Sequence, residues 1–440
     1  MTADYSATPL AGNIASGENR AARGDGSGRF VTLDVIRGIA VMGIFSVNVV
    51  GMAMHQQAYF YPPAYGFDGL GDRLMWLVNF LLVDGKMRSL FSILFGASLL
   101  LVIDGARRAG ASPWRTHYAR MIVLLVLGWL HWALLWWGDI LTHYAAVGMV
   151  AFLMWQLRAR TLLMVSLALF VAHAAPGLYV FPKEAAEYRL SQAPGAPAEL
   201  KEEWAERLAE QTPDAKTLAK DRAEHRSIAT RFDEVVPEDI LEPLDLGPLW
   251  LETLALMVLG MAGYKSGFLT GRWDDRHYRQ AALAGLGVGF AAYGMFAIIV
   301  WRADFAPLEF FGISQVYSAL FRPVMALGYA ALFILLFRRP SALRDRLAAI
   351  GRTAFSNYLG CTILGTLLFY GFAGDLYGKL SRGEAWLVVP FVWAMMLLWS
   401  KWWIDRFAYG PFEWLWRSLA RWELQPMKKR LPANAAAAEA

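Results

Sequence analysis

The stretch that decides the fold reads Asp34-Val-Ile-Arg37-Gly-Ile-Ala-Val-Met-Gly-Ile-Phe-Ser-Val-Asn48-Val-Val-Gly-Met-Ala-Met-His55. It is mostly apolar, and its length matches the roughly 20 residues that a helix needs to cross a bilayer. At about 100° per residue, its polar side chains fall in one arc about 60° wide: Asp34, Arg37, Asn48 and His55. Because such groups are costly in hydrocarbon, the arc is expected to face protein or a wet cavity. The stretch predicts a membrane helix with a functional stripe.

The composition of the whole chain agrees with a membrane protein. The chain has 440 residues, 57% of them hydrophobic, and 19 are Trp. This composition excludes an ordinary soluble protein. The net charge of +5 is explained by basic cytoplasmic loops, so nucleic acid is not an expected partner. A single cysteine, Cys361, excludes an intrachain disulfide and a cysteine-rich metal site.

Hydropathy predicts an all-α, polytopic membrane protein with about ten transmembrane helices. The second apolar run is too long for one span, and the charges around Gly85 divide it into an interfacial or re-entrant segment, 71–83, and a span, 87–103. The candidate spans are 35–54, 74–103, 121–137, 143–157, 161–180, 249–268, 280–301, 315–337, 353–372 and 385–405.

Loop charges predict the orientation and the domains. With the N-terminus inside, the inner loops carry fourteen arginines and the outer loops only four basic residues, so both termini are expected in the cytoplasm. The hydrophilic stretch 182–247 then becomes an extracytoplasmic insert, and residues 199–226 suit a solvated helix. The predicted units are a disordered tail 1–29, membrane halves 30–181 and 248–422 of five spans each, the insert, and a disordered tail 423–440.

Five stretches carry a resemblance to a known family: Leu33-Asp34-Val-Ile-Arg37-Gly38 leading to Asn48; Gly85-Lys86-Met-Arg88-Ser-Leu-Phe91; Gly138-Asp139-Ile-Leu-Thr142-His143-Tyr144; Gly351-Arg352-Thr353-Ala-Phe-Ser356-Asn357-Tyr358; and Gly410-Pro411-Phe-Glu413-Trp414-Leu-Trp416-Arg417. In this order they resemble the YeiB-like family of bacterial inner-membrane proteins, whose C-terminal half is catalogued as domain of unknown function 418. That family is similar at fold level to transmembrane acyltransferases such as the lysosomal heparan glucosaminide acetyltransferase. The resemblance implies a multi-pass protein of the bacterial inner membrane. It also places Asp34, Arg37, Gly38 and Asn48 in an active helix, with His55 in the position of the outer catalytic histidine.

The first-helix residues have functional and structural interpretations. Arg37 could bind the phosphates of an acyl carrier such as coenzyme A. Alternatively, it anchors the end of the helix and pairs with Asp34 three residues away. Asn48 suits hydrogen bonding to a carbonyl oxygen that gains charge, or hydrogen bonding between helices. His55 suits a general base, or an ordinary interfacial histidine.

Two further clusters are candidates for chemistry. Asp84, Lys86 and Arg88 predict either a local salt-bridge network or an anion site at the N-terminus of a broken helix. In the set His131, Asp139 and His143, the spacing of the last two suits a proton-handling dyad, with helix capping as the alternative. No third metal ligand is fixed by spacing, so a metal is not expected.

Single residues elsewhere complete the candidates. Arg322 lies in or at the end of a span and needs a counter-ion, for which Glu252 is the expected partner. Asn357 and Arg120 are candidates for substrate or carrier binding. Glu413 and Arg417 are four apart and predict a helix pair near the inner surface.

Two functions remain open from the sequence. The first is an acyltransferase that uses a cytoplasmic donor such as acyl-CoA, with no tightly bound cofactor and a small-molecule or glycan acceptor. The second is a transporter or permease for a small, anionic solute, since a polar stripe beside a broken helix also suits a substrate path. A non-catalytic assembly role is a third interpretation. Whatever the function, the expected partners include the lipid bilayer and a second copy of the chain.

Overall fold

The computed structural model describes residues 23–24, 29–227, 247 and 249–429. Within these ranges the chain is helical apart from two very short strands, β1 (Arg23–Gly24) and β2 (Arg29–Phe30), which pair antiparallel. The predicted all-α class is therefore confirmed. The predicted tails 1–29 and 423–440 fall mostly outside the described residues. Residues 423–429 of the second tail are described, and one of them, Met427, accepts a hydrogen bond at its carbonyl oxygen from the Ala408 N–H at 2.9 Å.

The helices of the N-terminal half follow the predicted spans closely. They are α1 (Val31–Ala53), α2 (Gln56–Phe60), α3 (Leu70–Leu82), α4 (Lys86–Arg108), α5 (Pro113–Leu134), α6 (Leu141–Ala151) and α7 (Ala159–Ser191). Short 3-10 turns follow at Pro62–Ala64 and Phe152–Met154.

The helices of the insert and the C-terminal half complete the bundle. They are α8 (Ala198–Ala209), α9 (Ala215–Glu224), α10 (Leu249–Lys265), α11 (Asp275–Arg302), α12 (Pro307–Phe311), α13 (Arg322–Leu336), α14 (Ala342–Arg352), α15 (Ala354–Phe369), α16 (Arg382–Trp386), α17 (Val388–Arg406) and α18 (Pro411–Arg421). A π-helical turn, Gly312–Tyr317, and a 3-10 turn, Ser318–Phe321, join α12 to α13.

Among the described residues, seven helical segments are long and apolar enough to cross a membrane: Val31–Ala53, Leu70–Arg108, Pro113–Leu134, Ala159–Ser191, Asp275–Arg302, Pro307–Leu336 and Arg382–Arg406. The other predicted spans lie in shorter helices, α6, α10 and α15. The membrane class is thus supported, whereas the count of ten and the orientation of the termini stay predictions. The predicted interruption of the second run is confirmed, because Val83–Gly85 form a turn between α3 and α4 and Gly85 has a φ of 70°.

Two helix crossings rest on direct backbone contact through glycine. A Cβ on Gly96 of α4 would lie 1.9 Å from the carbonyl oxygen of Met257 in α10. On Gly351 of α14 it would lie 1.8 Å from the carbonyl oxygen of Asp34 in α1. In lipid, helices associate by close packing and not by a hydrophobic force, so small residues at the contact let the backbones approach.

The insert differs from its predicted form in two respects. Helix α7 continues beyond residue 181 to Ser191, so the membrane half and the insert share one helix. The region 199–226 forms two helices, α8 and α9, instead of one. The insert contacts the loop between α15 and α16, since Arg222 donates to the carbonyl oxygen of Gly378 and Tyr377 Oη donates to Asp221 at 2.8 Å. Residues 228–246 of the insert lie outside the described residues.

Candidate functional site

The stripe on α1 ends before His55, which corrects the sequence prediction. Helix α1 ends at Ala53, and Met54 is extended with a φ of −154°. His55 caps α2 instead: its Nδ1 accepts a hydrogen bond from the Gln57 amide at 3.2 Å. A neutral imidazole that accepts at Nδ1 carries its proton on Nε2, so it presents a donor and not a base. His55 is therefore assigned a capping role.

The pair Asp34–Arg37 forms as the spacing predicts, and it joins three helices. The two side chains are 2.9 Å apart. Arg37 also donates to Ser98 Oγ on α4 at 2.8 Å and to the carbonyl oxygen of Gly351 on α14 at 3.3 Å. With these partners Arg37 fixes the crossing of α1, α4 and α14, and a carrier phosphate would have to compete with them.

Asn48 lies beside a narrow cavity within the bundle. Its neighbours on the cavity wall include Tyr358, Cys361 and Thr362 of α15. The cavity measures about 10 Å³, roughly the space that one water molecule needs. Asn48 is 9% exposed, and its side-chain amide makes no hydrogen bond with the described part of the chain. Its amide is thus available to a group that enters this cavity.

The carboxylate of Asp139 orients His131, not His143 as the sequence predicts. Asp139 lies before α6, so it cannot share a helix face with His143. One of its oxygens accepts from the Thr142 amide at 2.8 Å, and the other contacts His131 Nδ1 at 2.8 Å. His143 contacts Thr253 Oγ1 at 2.9 Å.

On its other side, His131 reaches the cavity that Asn48 lines. Because a carboxylate only accepts, Nδ1 donates to Asp139, and in the neutral imidazole Nε2 is then an acceptor. Thr362 Oγ1 lines the cavity and lies 3.0 Å from this Nε2 and 3.3 Å from the carbonyl oxygen of Tyr358, so two acceptors share its one proton. Asp139, His131 and Thr362 form a hydrogen-bonded chain, called the relay cluster below. The sequence carried no signal for Thr362, which lies in an apolar run 231 residues from His131.

A charged cluster lies at the interruption between α3 and α4. Arg88 contacts Glu252 at 2.6 Å, and Arg322 contacts the same carboxylate at 3.4 Å. The side chain of Glu252 is 1% exposed. The predicted pairing of Arg322 with Glu252 is confirmed, and Arg88 joins it across 164 residues. Arg88, Glu252 and Arg322 are called the arginine cluster below.

The side chains of Asp84, Lys86 and Arg88 do not pair with one another as the local-network prediction requires. Lys86 is fully buried, and its Nζ donates to the carbonyl oxygens of Phe80 and Asp84 and lies 3.2 Å from the centre of the Tyr293 ring. The carboxylate of Asp84 is exposed. The amides of Lys86 and Met87 bond to the carbonyl oxygen of Val83, so these amides are not available to an anion.

Asn357 and Arg120 have structural partners. The Asn357 amide donates to Ser400 Oγ at 3.0 Å and accepts from Trp399 at 2.9 Å, which ties α15 to α17. Arg120 lies 4.2 Å from the centre of the Trp416 ring of α18.

Glu413 caps a helix, and its contacts differ from the predicted pairing with Arg417. Its carboxylate accepts from the amides of Phe355 and Ser356 at 2.7 and 3.1 Å, and from Ser356 Oγ at 2.5 Å. These groups belong to the first turn of α15, whose own N-cap residue supplies no side-chain hydrogen bond. Within the described ranges, no three metal-ligating side chains come together.

Comparison with known proteins finds one family model and relatives that match nearly the whole chain. Residues 263–423 match the model of a protein of unknown function, DUF418. YeiB of Escherichia coli K12 is 29% identical over 403 residues, which cover 89% of this chain and 96% of YeiB. The chain is therefore similar to the YeiB-like DUF418 family. YxaH of Bacillus subtilis 168 is 26% identical over 428 residues, covering 91% of this chain and 96% of YxaH. An uncharacterized 39.9 kDa protein of Bacillus acidopullulyticus is 22% identical over 401 residues, covering 89% of this chain and 93% of that protein.

These relatives support a bacterial membrane protein without naming an activity, since YeiB and YxaH are themselves uncharacterized. No solved structure gives a significant match to the chain. The DUF418 region contributes Thr362 and Arg322, whereas His131, Asp139 and Arg88 precede it. Both clusters are therefore assembled between the DUF418 region and the N-terminal half.

Proposed function

We propose that this relative of the DUF418 family is an acyltransferase of the bacterial inner membrane. It would move an acyl group from a cytoplasmic donor such as acyl-CoA to an acceptor hydroxyl or amine that is reached from the outer face. The observation that carries this proposal is the relay cluster, which ends at a cavity lined by Asn48. A base oriented by a third group, within hydrogen-bond reach of a hydroxyl, is the arrangement that acyl transfer uses.

Each residue of the site has a role in the proposed reaction. The acceptor passes its proton to Thr362 Oγ1 while Thr362 passes its own proton to His131 Nε2. The acceptor oxygen or nitrogen attacks the thioester carbonyl carbon, and Asn48 donates a hydrogen bond to the carbonyl oxygen as it gains charge. The carbon–sulfur bond then breaks, and the thiolate takes the proton back from His131 along the same path. Asp139 holds the imidazole and stabilises its charged form.

The size of the cavity adds a conformational requirement. At about 10 Å³ it holds no more than a water-sized group, so a thioester carbonyl enters only when α1 and α15 move apart. These helices touch where a Cβ on Gly365 would lie 2.5 Å from Met52 Sδ. That contact involves a flexible side chain and not backbone, so it can open at low cost.

The proposal is tested by measuring thioester cleavage by the purified protein in lipid nanodiscs. Acetyl-, succinyl- and palmitoyl-CoA are offered with and without hydroxyl and amine acceptors, and free coenzyme A is quantified. His131→Gln and Thr362→Val are expected to lower the rate by about 10²–10⁴-fold, as general-base catalysis is lost. His55→Gln, in the cap of α2, is the matched control and is expected to keep the rate. No cleavage of any thioester, or equal rates in all variants, contradicts the proposal.

Transport of an anionic solute is a second candidate, and a separate observation favours it. Arg322 links the interruption at Val83–Gly85 to the irregular turns at 312–321. A Cβ on Gly85 would lie 2.6 Å from Arg322 Nε, and Arg322 Nη2 donates to the carbonyl oxygen of Ser314 at 2.7 Å. Discontinuous helices of this kind surround substrate sites in secondary transporters. Uptake of labelled organic acids into proteoliposomes tests this candidate. Arg322→Gln is expected to abolish uptake, and uptake that this variant retains counts against it.

A further inference from the structure

The arginine cluster carries more positive charge than its own residues neutralise. Arg88 and Arg322 share the single carboxylate of Glu252, and the buried Lys86 lies against the same interruption. The single negative charge of Glu252 can neutralise only one of the two guanidinium groups, and Asp84 at the interruption is exposed to solvent. An excess charge within a membrane bundle calls for a counter-ion.

Two guanidinium N–H groups of the cluster are unused. Arg88 Nη1 and Arg322 Nε are buried and have no hydrogen-bond partner in the described part of the chain. Nearly all buried donors in proteins find an acceptor, so such a pair requires an explanation. Both guanidinium groups contact the same carboxylate, which places the unused donors close to one another.

The two arginines are less deeply buried than the carboxylate that they share. The side chains of Arg88 and Arg322 are 21% and 14% exposed, whereas that of Glu252 is 1% exposed. Gly85 packs directly against Arg322, since a Cβ there would lie 2.6 Å from Arg322 Nε. Arginine presents planar pairs of donors that match the oxygens of a carboxylate or a phosphate.

We propose that Arg88 and Arg322 bind an oxyanion, the carboxylate or phosphate group of a ligand, with Glu252 as the internal anion that holds them in place and competes with it. The site is distinct from the relay cluster. It rests on the transport candidate in that both use Arg322, but binding is measured without a solute gradient, so a failure of binding and a failure of transport are distinguishable.

Anion binding is measured on the intact protein in phosphatidylcholine nanodiscs. Sodium phosphate and sodium succinate are titrated against sodium chloride at constant ionic strength, with calorimetry and the thermal unfolding midpoint as readouts. Saturable binding of phosphate or succinate is expected. Arg322→Gln and Arg88→Gln are expected to weaken it at least about tenfold, the factor that a single charge-assisted hydrogen bond of about 1.4 kcal/mol provides. The matched control is Arg338→Gln, which removes a surface arginine paired with Asp275 and is expected to leave binding unchanged.

Glu252→Gln separates a ligand site from a purely structural ion pair. It removes the competing negative charge at nearly constant shape, so oxyanion affinity is expected to rise. If this variant does not fold, Arg88→Lys keeps the charge, loses the planar donors and is expected to weaken binding. No saturable binding of either anion, or equal affinity in Arg322→Gln, overturns the proposal.

A second arm identifies the source of the oxyanion. Nanodiscs that contain phosphatidylglycerol are compared with those of phosphatidylcholine alone. If the anionic lipid competes with phosphate, a lipid headgroup is the ligand; if phosphate or succinate binds equally in both, the ligand is a free solute. Either result supports the oxyanion site, provided that Arg322→Gln weakens the binding.

Discussion

The relay cluster and the arginine cluster are both buried polar sets, but they differ in how their hydrogen bonds are satisfied. In the relay cluster, both oxygens of Asp139 and both nitrogens of His131 have partners within the protein. In the arginine cluster, two guanidiniums share one carboxylate and keep two N–H groups without partners in the described residues. The first set is organised before any ligand arrives, as a catalytic group needs to be. The second set is incomplete, as expected of a binding site.

The two sets also differ in how they are held together. The relay cluster joins α5, the turn before α6, and α15 through side chains alone. The arginine cluster depends on close backbone contact, because α4 carries Arg88 and α10 carries Glu252 and these helices touch at Gly96. A change of helix spacing should therefore affect the arginine cluster first.

The largest expected effect comes from removing the shared carboxylate. Glu252→Ala leaves two largely buried guanidiniums without their counter-ion, and the free energy of unfolding should fall by roughly 3–5 kcal/mol. Thermal unfolding in detergent measures the loss. Glu203→Ala, which breaks an exposed pair with Arg207 on α8, should cost less than about 1 kcal/mol. Equal losses in the two variants would show that the arginine cluster is no more than a surface ion pair.

Separating α4 from α10 should have the next largest effect. The Cβ of Gly96→Ala would overlap the carbonyl oxygen of Met257. Because the backbone cannot easily move away, the free energy of unfolding should fall by about 3 kcal/mol. Oxyanion affinity should fall as well, while thioester cleavage should change less. Gly105→Ala on the same helix meets nothing within 4 Å and is the control. If both glycine variants behave alike, the proposed dependence of the arginine cluster on helix spacing is wrong.

Breaking the relay cluster should lower the stability less than the two changes above, but it should lower the activity more. In Asp139→Asn one oxygen must serve both the Thr142 amide and His131, so one buried donor loses its acceptor at a cost of about 2 kcal/mol. The imidazole also loses its orienting charge, and the rate of thioester cleavage should fall with it. Asp405→Asn, which breaks an exposed pair with Lys401, is the control for both measurements. Unchanged cleavage by Asp139→Asn would remove the relay cluster from the proposed mechanism.

The smallest expected effect concerns the cap of α15, the helix that carries Thr362. Burial raises the pKa of the Glu413 carboxyl above its usual 4.5, although the bonds from Ser356 and Phe355 oppose this shift. The folded state then binds the proton more tightly than the unfolded state. The free energy of unfolding should fall as the pH rises from about 4.5 through the raised pKa. Glu413→Gln should flatten that part of the pH profile, and Glu413→Ala should cost about 1 kcal/mol as a lost cap. A profile of the same slope in Glu413→Gln would mean that another group titrates.

The sequence predicted an ion pair correctly in two situations: where the two residues are close in the chain, and where a charge within a span needed a partner of opposite sign. Asp34 and Arg37 are three apart and form a pair, and Arg322 has Glu252 as its partner. It failed where a helix boundary decided the geometry. The errors at His55 and at Asp139 arise because each residue lies just outside a helix, so helical spacing did not apply. The predicted pair of Glu413 with Arg417 is wrong for another reason, because Glu413 caps a different helix.

The sequence by itself determined the helical membrane class, the interruption at Gly85 and the family resemblance, because hydropathy, glycine and charge act over short stretches of chain. Only the tertiary structure decided which polar groups meet. Thr362 reaches His131 across 231 residues and Arg88 reaches Glu252 across 164. No local sequence pattern predicts a contact between residues so far apart in the chain. They follow from helices that pack closely in lipid through small residues and so bring the few buried polar side chains within hydrogen-bond reach.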